Sequence, residues 1–212
     1  MIDVISQITD VERRVGSRTL DAGEGRVVTI SKVFPGEIED LWDACTDPER
    51  IPRWFPPVTG ELRLGGKYQL EGNAGGTVER CDPPNSFSAT WEYDGGVSWI
   101  ELRLTDIADR GVRFELEHVM PVNDHWNTFG PGATGVGWDG MLMGLGLHLA
   151  SGQAVDQAAV EAWSGSDEGK QFLTASGNAW ADADIANGAD PDEARAAADK
   201  TIGFYTAAPD QA

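Results

Sequence analysis

Apolar residues recur along the chain at different periods, and the changes of period divide it into elements. "VERRVGS" and "GRVVTISKVF" read as two strands joined by the Gly- and Asp-rich "LDAGEG", a hairpin or two neighbouring strands. Ahead of them, residues 1–9 fit a short amphipathic turn. After Pro35, Ile38, Leu41, Trp42 and Cys45 stand at helical spacing in "GEIEDLWDACT", and Asp47 followed by Pro48 signals a second short turn through Arg53. From Val58 to Val119 the period becomes two. The runs "ELRLGGKYQLEG", "GTVERCD", "SFSATWEYDG", "VSWIELRLTDI" and "GVRFELEHVM", separated by Gly, Asp, Asn and Pro, predict an antiparallel meander.

Alternation assigns faces. Phe87, Ala89, Trp91 and Tyr93 share one side of a strand, and Phe114, Leu116 and His118 one side of another. Such a face needs a cover, and "ATGVGWDGMLMGLGLHLA" supplies one. Its Trp138, Met141, Leu142, Leu145 and Leu149 fall three and four apart, as on an amphipathic helix. Gly137, Gly140 and Gly144 form a small-residue stripe on the same segment. Each costs roughly 1 kcal/mol against Ala, so the stripe predicts close approach of the helix to its sheet. Beyond Gly152 the chain turns Ala-rich and acidic. A linker with some helix (151–169) precedes a helical hairpin, with Phe172, Leu173, Ser176, Trp180 and Ala183 on one face and Asp190, Pro191 and Glu193 starting the last helix.

Composition narrows the function classes. In 212 residues, 41% hydrophobic with 8 Trp and 7 Phe, there is ample material for one substantial core. A formal net charge of -19 repels phosphate backbones and anionic lipid, so neither nucleic acid nor membrane is expected as a partner. Cys45 and Cys81 have no metal or disulfide spacing and read as small core residues. The start of the chain has no secretory pattern, no run is apolar enough to span a bilayer, and a cytoplasmic location is expected.

Candidate chemistry is sparse. Gly130, Gly132 and Gly135 spell a literal G-x-G-x-x-G, but "VNDHWNTF" before it is no strand and no strand is predicted after Ala150, so a dinucleotide site has no βαβ unit to sit in. His118, His125 and His148 are too scattered for a metal site, and no metal or cofactor is expected. Glu101, Glu115 and Glu117 alternate with apolar neighbours and should face solvent. His118 continues the apolar face of Phe114 and Leu116; it reads either as a satisfied core histidine or as a polar anchor for a ligand. The aromatics Trp54, Phe55, Tyr68, Trp91, Trp99, Trp126 and Trp138 would line a packed core or an apolar cavity.

The order of elements, with "VFPGEIEDLWDACTDPERIPRWFPP", "GGTVERCDPPNSFSATWEYDG" and "GVGWDGMLMGLGLHLA", resembles the START-like (SRPBCC, birch-pollen-allergen-like) superfamily. Within it these blocks look like the bacterial branch related to the activator of the heat-shock protein 90 ATPase. The resemblance covers roughly residues 11–151 and implies an α+β helix-grip fold, a curved antiparallel sheet wrapped around a long C-terminal helix. Residues 1–10 would then be an N-terminal segment and 152–212 an acidic helical extension, packing on the core or mediating a homodimer. It also implies a cavity between sheet and helix that takes a hydrophobic or aromatic small molecule. Its expected walls are Trp54, Phe55, Tyr68, Trp91, Phe114, Trp138, Met141, Leu142 and Leu145, with His118 as anchor. A binding protein with no catalytic residue is the first expectation. A cyclase- or dehydratase-like enzyme using His118 or Tyr68 as acid/base, and a co-chaperone or interaction module, are the alternatives.

Overall fold

The computed structural model describes residues 4–21 and 23–207. Of the segments expected above, residues 1–3 of the first turn, Ala22 of the first strand connection and 208–212 of the extension lie outside the described residues.

Helix α1 (Val4–Thr9) leads into strands β1 (Glu12–Leu20) and β2 (Gly23–Phe34), which pair as a hairpin. Helix α2 (Ile38–Thr46) and a 3₁₀ turn (Ile51–Arg53) follow. The meander then runs through β3 (Val58–Gly60), β4 (Lys67–Leu70), β5 (Gly75–Asp82), β6 (Ser86–Tyr93), β7 (Gly96–Ile107) and β8 (Gly111–Pro121). All eight strands form one antiparallel sheet in the order β1-β2-β8-β7-β6-β5-β4-β3, so the last strand of the meander returns to pair with β2. The register of the β5–β6 pair shifts between Val78 and Arg80, a bulge of the kind that locally bends a strand. One difference from the sequence pattern lies at Glu61–Gly66, read as strand and found as connection. At Gly60, with φ +101°, a Cβ would lie 2.2 Å from the Lys67 carbonyl oxygen, so the chain reverses there on glycine.

The two sheet faces follow the alternation. Ala89, Ile100, Leu102, Leu104, Phe114 and Leu116 are buried on the inner face. Outside, Glu101, Glu115 and Glu117 pair with Arg80, Arg103, Arg14 and Arg18 in a cross-strand ladder, so these carboxylates lie away from the core. Trp99 alternates onto this outer face beside Glu101 and does not join the core aromatics. Tyr93, expected on the inner face, is 61% exposed at the end of its strand, beyond the helix that covers the rest.

That covering helix is α4 (Gly132–Ser151), preceded by the short α3 (Asp124–Phe129) and closed by Gly152 in the left-handed region. It is not amphipathic. Trp138, Met141, Leu142 and Leu145 pack towards the sheet, while Met143 joins Val4 and Phe172 in a separate cluster. Helices α5 (Gln157–Ser164), α6 (Asp167–Ala186) and α7 (Pro191–Thr206) cover its back, which is why apolar positions continue round the helix.

Docking of the extension rests on Asp139, 2% exposed in the middle of α4. Its Oδ1 accepts from Arg13 Nη2 at 2.7 Å, and its Oδ2 accepts from Arg13 Nε at 3.1 Å, from the Ser176 hydroxyl and from Trp180 Nε1 at 2.9 Å. Arg13 also donates to the Ile8 and Val11 carbonyls. One carboxylate thus holds together β1, the end of α1, α4 and α6. The Trp180 ring lies over Gly135, where a Cβ would come within 2.2 Å of ring carbon Cε2. Farther along, Thr201 donates to the Phe129 carbonyl and Tyr205 to that of Ala133.

These contacts replace the expected role of the glycine stripe. Gly144 approaches the Trp54 carbonyl, Gly137 comes near the Tyr205 hydroxyl, and Gly140 meets nothing within 4 Å. None of the three approaches the sheet. The tightest contact on α4 is at Gly135, one residue of the apparent nucleotide fingerprint, and of the stripe Gly144 alone is tight, its Cβ position 2.8 Å from the Trp54 carbonyl oxygen.

Three substitutions test this arrangement by urea denaturation. Asp139→Ala strands the 95% buried Arg13 side chain and should cost about 3–5 kcal/mol. Gly135→Ala should destabilise through the Trp180 clash, whereas Gly140→Ala should be neutral or stabilise by up to about 1 kcal/mol. Equal effects at the two glycines would refute the assignment of Gly135 as the close-contact position.

Candidate functional site

Between the inner face of the sheet and α4 lies a cavity of about 130 Å³. Its walls come from the sheet and from the helices and turn around it. β6, β7 and β8 contribute Phe87, Ala89, Trp91, Ile100, Leu102, Phe114 and Leu116; β4 and β5 contribute Tyr68, Leu70, Val78 and Cys81; α4 contributes Trp138 and Met141. Ile51, Trp54 and Phe55, in and just after the 3₁₀ turn, and Cys45 and Thr46 from α2, complete it with Val58 and Leu62. The turn projects two successive aromatics because the amides of Trp54 and Phe55 both bond to the Ile51 carbonyl, winding the chain tightly over the sheet.

Three polar groups on these walls are committed to the protein itself. Trp54 Nε1 donates to the Ala44 carbonyl at 2.9 Å, the Tyr68 hydroxyl to the Thr90 carbonyl at 2.7 Å, and the Thr46 hydroxyl to the Trp42 carbonyl at 2.8 Å. Burial raises the Tyr68 phenol above its ordinary value, so it stays protonated. Burial likewise pushes the Cys45 thiol up to about 12, which makes it a poor nucleophile. Cys81 is exposed and lines the cavity from the edge, which corrects the expectation of a core residue.

Of the ten residues expected at the site, Trp54, Phe55, Tyr68, Trp91, Phe114, Trp138 and Met141 line the cavity. Leu142 and Leu145 are buried in the core instead, 1% and 0% exposed. His118 lies behind the wall. Trp138 Nε1 donates to its Nδ1 at 3.2 Å, which leaves the proton on Nε2 to be donated to the Ser98 hydroxyl at 2.8 Å. Ser98 in turn donates to the Trp91 carbonyl at 3.0 Å. The histidine therefore spaces two wall aromatics, and its ring stands 5.8 Å from that of Trp138 and 5.9 Å from that of Trp91. Protonating Nδ1 would set it against the Trp138 N–H, and burial lowers its pKa to about 3. A neutral imidazole with both nitrogens engaged has no free position for a substrate proton.

An aromatic series runs from this network to the turn: Trp91 and Trp138 centroids are 5.2 Å apart, Trp138 and Phe55 6.4 Å, and Phe55 and Trp54 5.4 Å, the last two pairs stacked. Residues that the sequence reading left out of the site, Ala89, Phe87, Ile100, Leu102 and Leu116 among them, carried a signal in the alternation that places them beside Trp91 and Phe114. Cys45 carried one in the helical spacing of α2, whereas Val58, Leu62 and Val78 carried none, because their inward direction depends on how the sheet curls. Trp126 packs against the core without lining the cavity. His125 is exposed against the Phe129 ring, and among the described residues no group of metal-ligating side chains occurs. No helix among them is long and apolar enough to cross a membrane.

A family model described as Activator of Hsp90 ATPase homolog 1-like protein matches residues 36–150, more than half of the chain. The crystal structure of CalU16 from Micromonospora echinospora is similar at 36% identity and TM-score 0.67, over 82% of this chain and 97% of its own. Its solution structure gives 35% identity and TM-score 0.71, over 84% and 96%. Both shares exceed what residues 1–150 can supply, so the likeness runs into the C-terminal helices. DynU16, a protein of the dynemicin biosynthetic locus, has a similar fold at 18% identity and TM-score 0.55, over 60% of this chain and 48% of its own. No curated protein matches the chain.

The hydrogen-bonded histidine makes a pH prediction. Because its folded pKa lies below the unfolded value near 6.5, the contribution is complete above pH 6.5 and is lost as pH falls towards 3. From pH 7 to 5 the wild type should lose about 2 kcal/mol more stability than His118→Gln, measured by chemical denaturation. Parallel pH profiles would overturn the assignment.

Proposed function

The chain belongs to the Activator of Hsp90 ATPase homolog 1-like family, and we propose that it binds an apolar, ring-containing small molecule between the sheet and α4. The observation that carries this reading is the cavity itself: aromatic and aliphatic walls on which the Trp54, Tyr68 and Trp138 donors are satisfied by the protein. Such a space favours an apolar occupant. At about 130 Å³ it is close to the ~150 Å³ of an engineered apolar cavity that holds benzene, so one six-membered ring fits it. Stacked aromatics favour a flat ring, offset or edge-on against Trp138 and Trp91.

A role in binding rather than in acid/base chemistry follows from the same walls. His118 and Tyr68, the two groups an enzyme would draw on, each spend their protons on the protein. We place the protein's work in the cytoplasm, where an acidic carrier of this kind stays dispersed by its own charge.

Ala89, 1% exposed on the cavity wall, gives the test. Toluene titrated into the wild type should shift the methyl resonances of Ile100 and Met141 saturably. Ala89→Leu, which fills the space, should weaken that binding by about tenfold or more with folding retained. Unsaturable shifts, or an affinity indifferent to the substitution, would defeat the proposal.

A further inference from the structure

A second cavity, of about 220 Å³, lies under the C-terminal extension. Gly140 and Gly144 of α4 form its floor, and Val160, Trp163, Phe172 and Leu173 from α5 and α6 close over it. Its existence depends on Gly140, where a Cβ would meet nothing within 4 Å. Trp54, Phe55 and Met141 line this cavity and the first one alike, so they stand between the two.

The partition is uneven in strength. Trp54 is tied by its hydrogen bond to Ala44, but Phe55 is held only by stacking and Met141 only by packing. A turn of the Phe55 ring about χ1 and a shift of the flexible Met141 thioether would join the chambers. Neither cavity alone reaches the ~300 Å³ at which pockets for drug-sized ligands begin, whereas the two together do.

We propose that the two cavities form one bipartite site, and that its ligand is an aromatic ring bearing an aliphatic tail. The ring lies between Trp91 and Trp138, and the tail passes Phe55 to lie among Met143, Leu147 and Val160 beneath α5. This rests on the reading of the first cavity as a ligand site and adds that the extension supplies the second half. The extension therefore sets the length of molecule accepted.

The test uses the full chain, toluene and 4-octylphenol, with calorimetry and ¹³C-methyl methionine NMR. Toluene should bind with one-to-one stoichiometry and move Met141; 4-octylphenol should also move Met143, which lines the second cavity alone. Gly140→Leu should weaken 4-octylphenol by at least about tenfold, the loss of roughly two buried methylenes, and leave toluene binding unchanged. If Gly140→Leu fails to fold, Val160→Trp fills the same chamber from its roof, and the Met143 shift in the wild type decides without any variant. Toluene binding combined with 4-octylphenol that leaves Met143 unmoved, or that ignores both substitutions, overturns the bipartite site alone. So does toluene entering both chambers independently, with two bound. Absence of toluene binding to the wild type overturns the underlying reading instead.

Discussion

The buried carboxylate of Asp139 is the constraint on which the tertiary arrangement turns. An isolated charge at 2% exposure would cost several kcal/mol in desolvation, and it is stable only because Arg13, Ser176 and Trp180 fill its acceptor positions. Those three donors come from β1 and α6. Meeting one carboxylate fixes their positions together, and α4 is thereby held from behind while its other side faces the sheet. Trp180 adds shape to the charge, since its ring occupies the place where a side chain at position 135 would be. The pairing also sets direction: a bidentate guanidinium approaches in the plane of the carboxylate, so β1 cannot slide along α4 without losing one of the two bonds.

Fixing α4 from behind determines what remains in front of it. Because the extension bears on the helix through Gly135 and Asp139, the sheet side is free to keep a gap, and the gap is bounded by aromatics that hold one another at set distances. His118 contributes as a spacer. Its tautomer is dictated by the Trp138 N–H on one nitrogen and the Ser98 hydroxyl on the other, and through Ser98 the constraint reaches the Trp91 carbonyl. Two cavity walls on different elements are thus coupled through one imidazole. The same logic explains why the Trp54, Tyr68 and Trp138 donors are not free at the cavity surface, for each is used in building a wall.

The extension is part of this construction. Its helices bury Phe172 and Trp180 against α1 and α4, and the likeness to CalU16 extends into them. Of the two roles open to it, packing on the core is the one seen in the structure, and Phe204 is its large apolar side chain left 58% exposed. Where α4 loses side chains at Gly140 and Gly144, the extension bridges over the resulting floor without filling it.

Strand and helix periods, the hairpin, the meander and the burial of Phe114, Leu116 and Ala89 were legible in the sequence, because they are local consequences of where apolar side chains point along a regular backbone. So was the solvent side of Glu101, Glu115 and Glu117. Other features depended on which distant residues meet. The glycines of α4 read alike in sequence, yet Gly135 seats an indole, Gly144 passes a carbonyl and Gly140 opens on empty space. His118 could be placed on the inner face by alternation, as a satisfied core histidine or a ligand anchor, but only the arrival of Trp138 on one side and Ser98 on the other gave it two partners within the protein. Nothing local singles out Asp139; its partner Arg13 stands 126 residues earlier in the chain and meets it only in the interior. Periodicity is a property of neighbours a few residues apart, whereas the partner of a buried charge and the volume left between packed surfaces exist only once the chain has closed on itself.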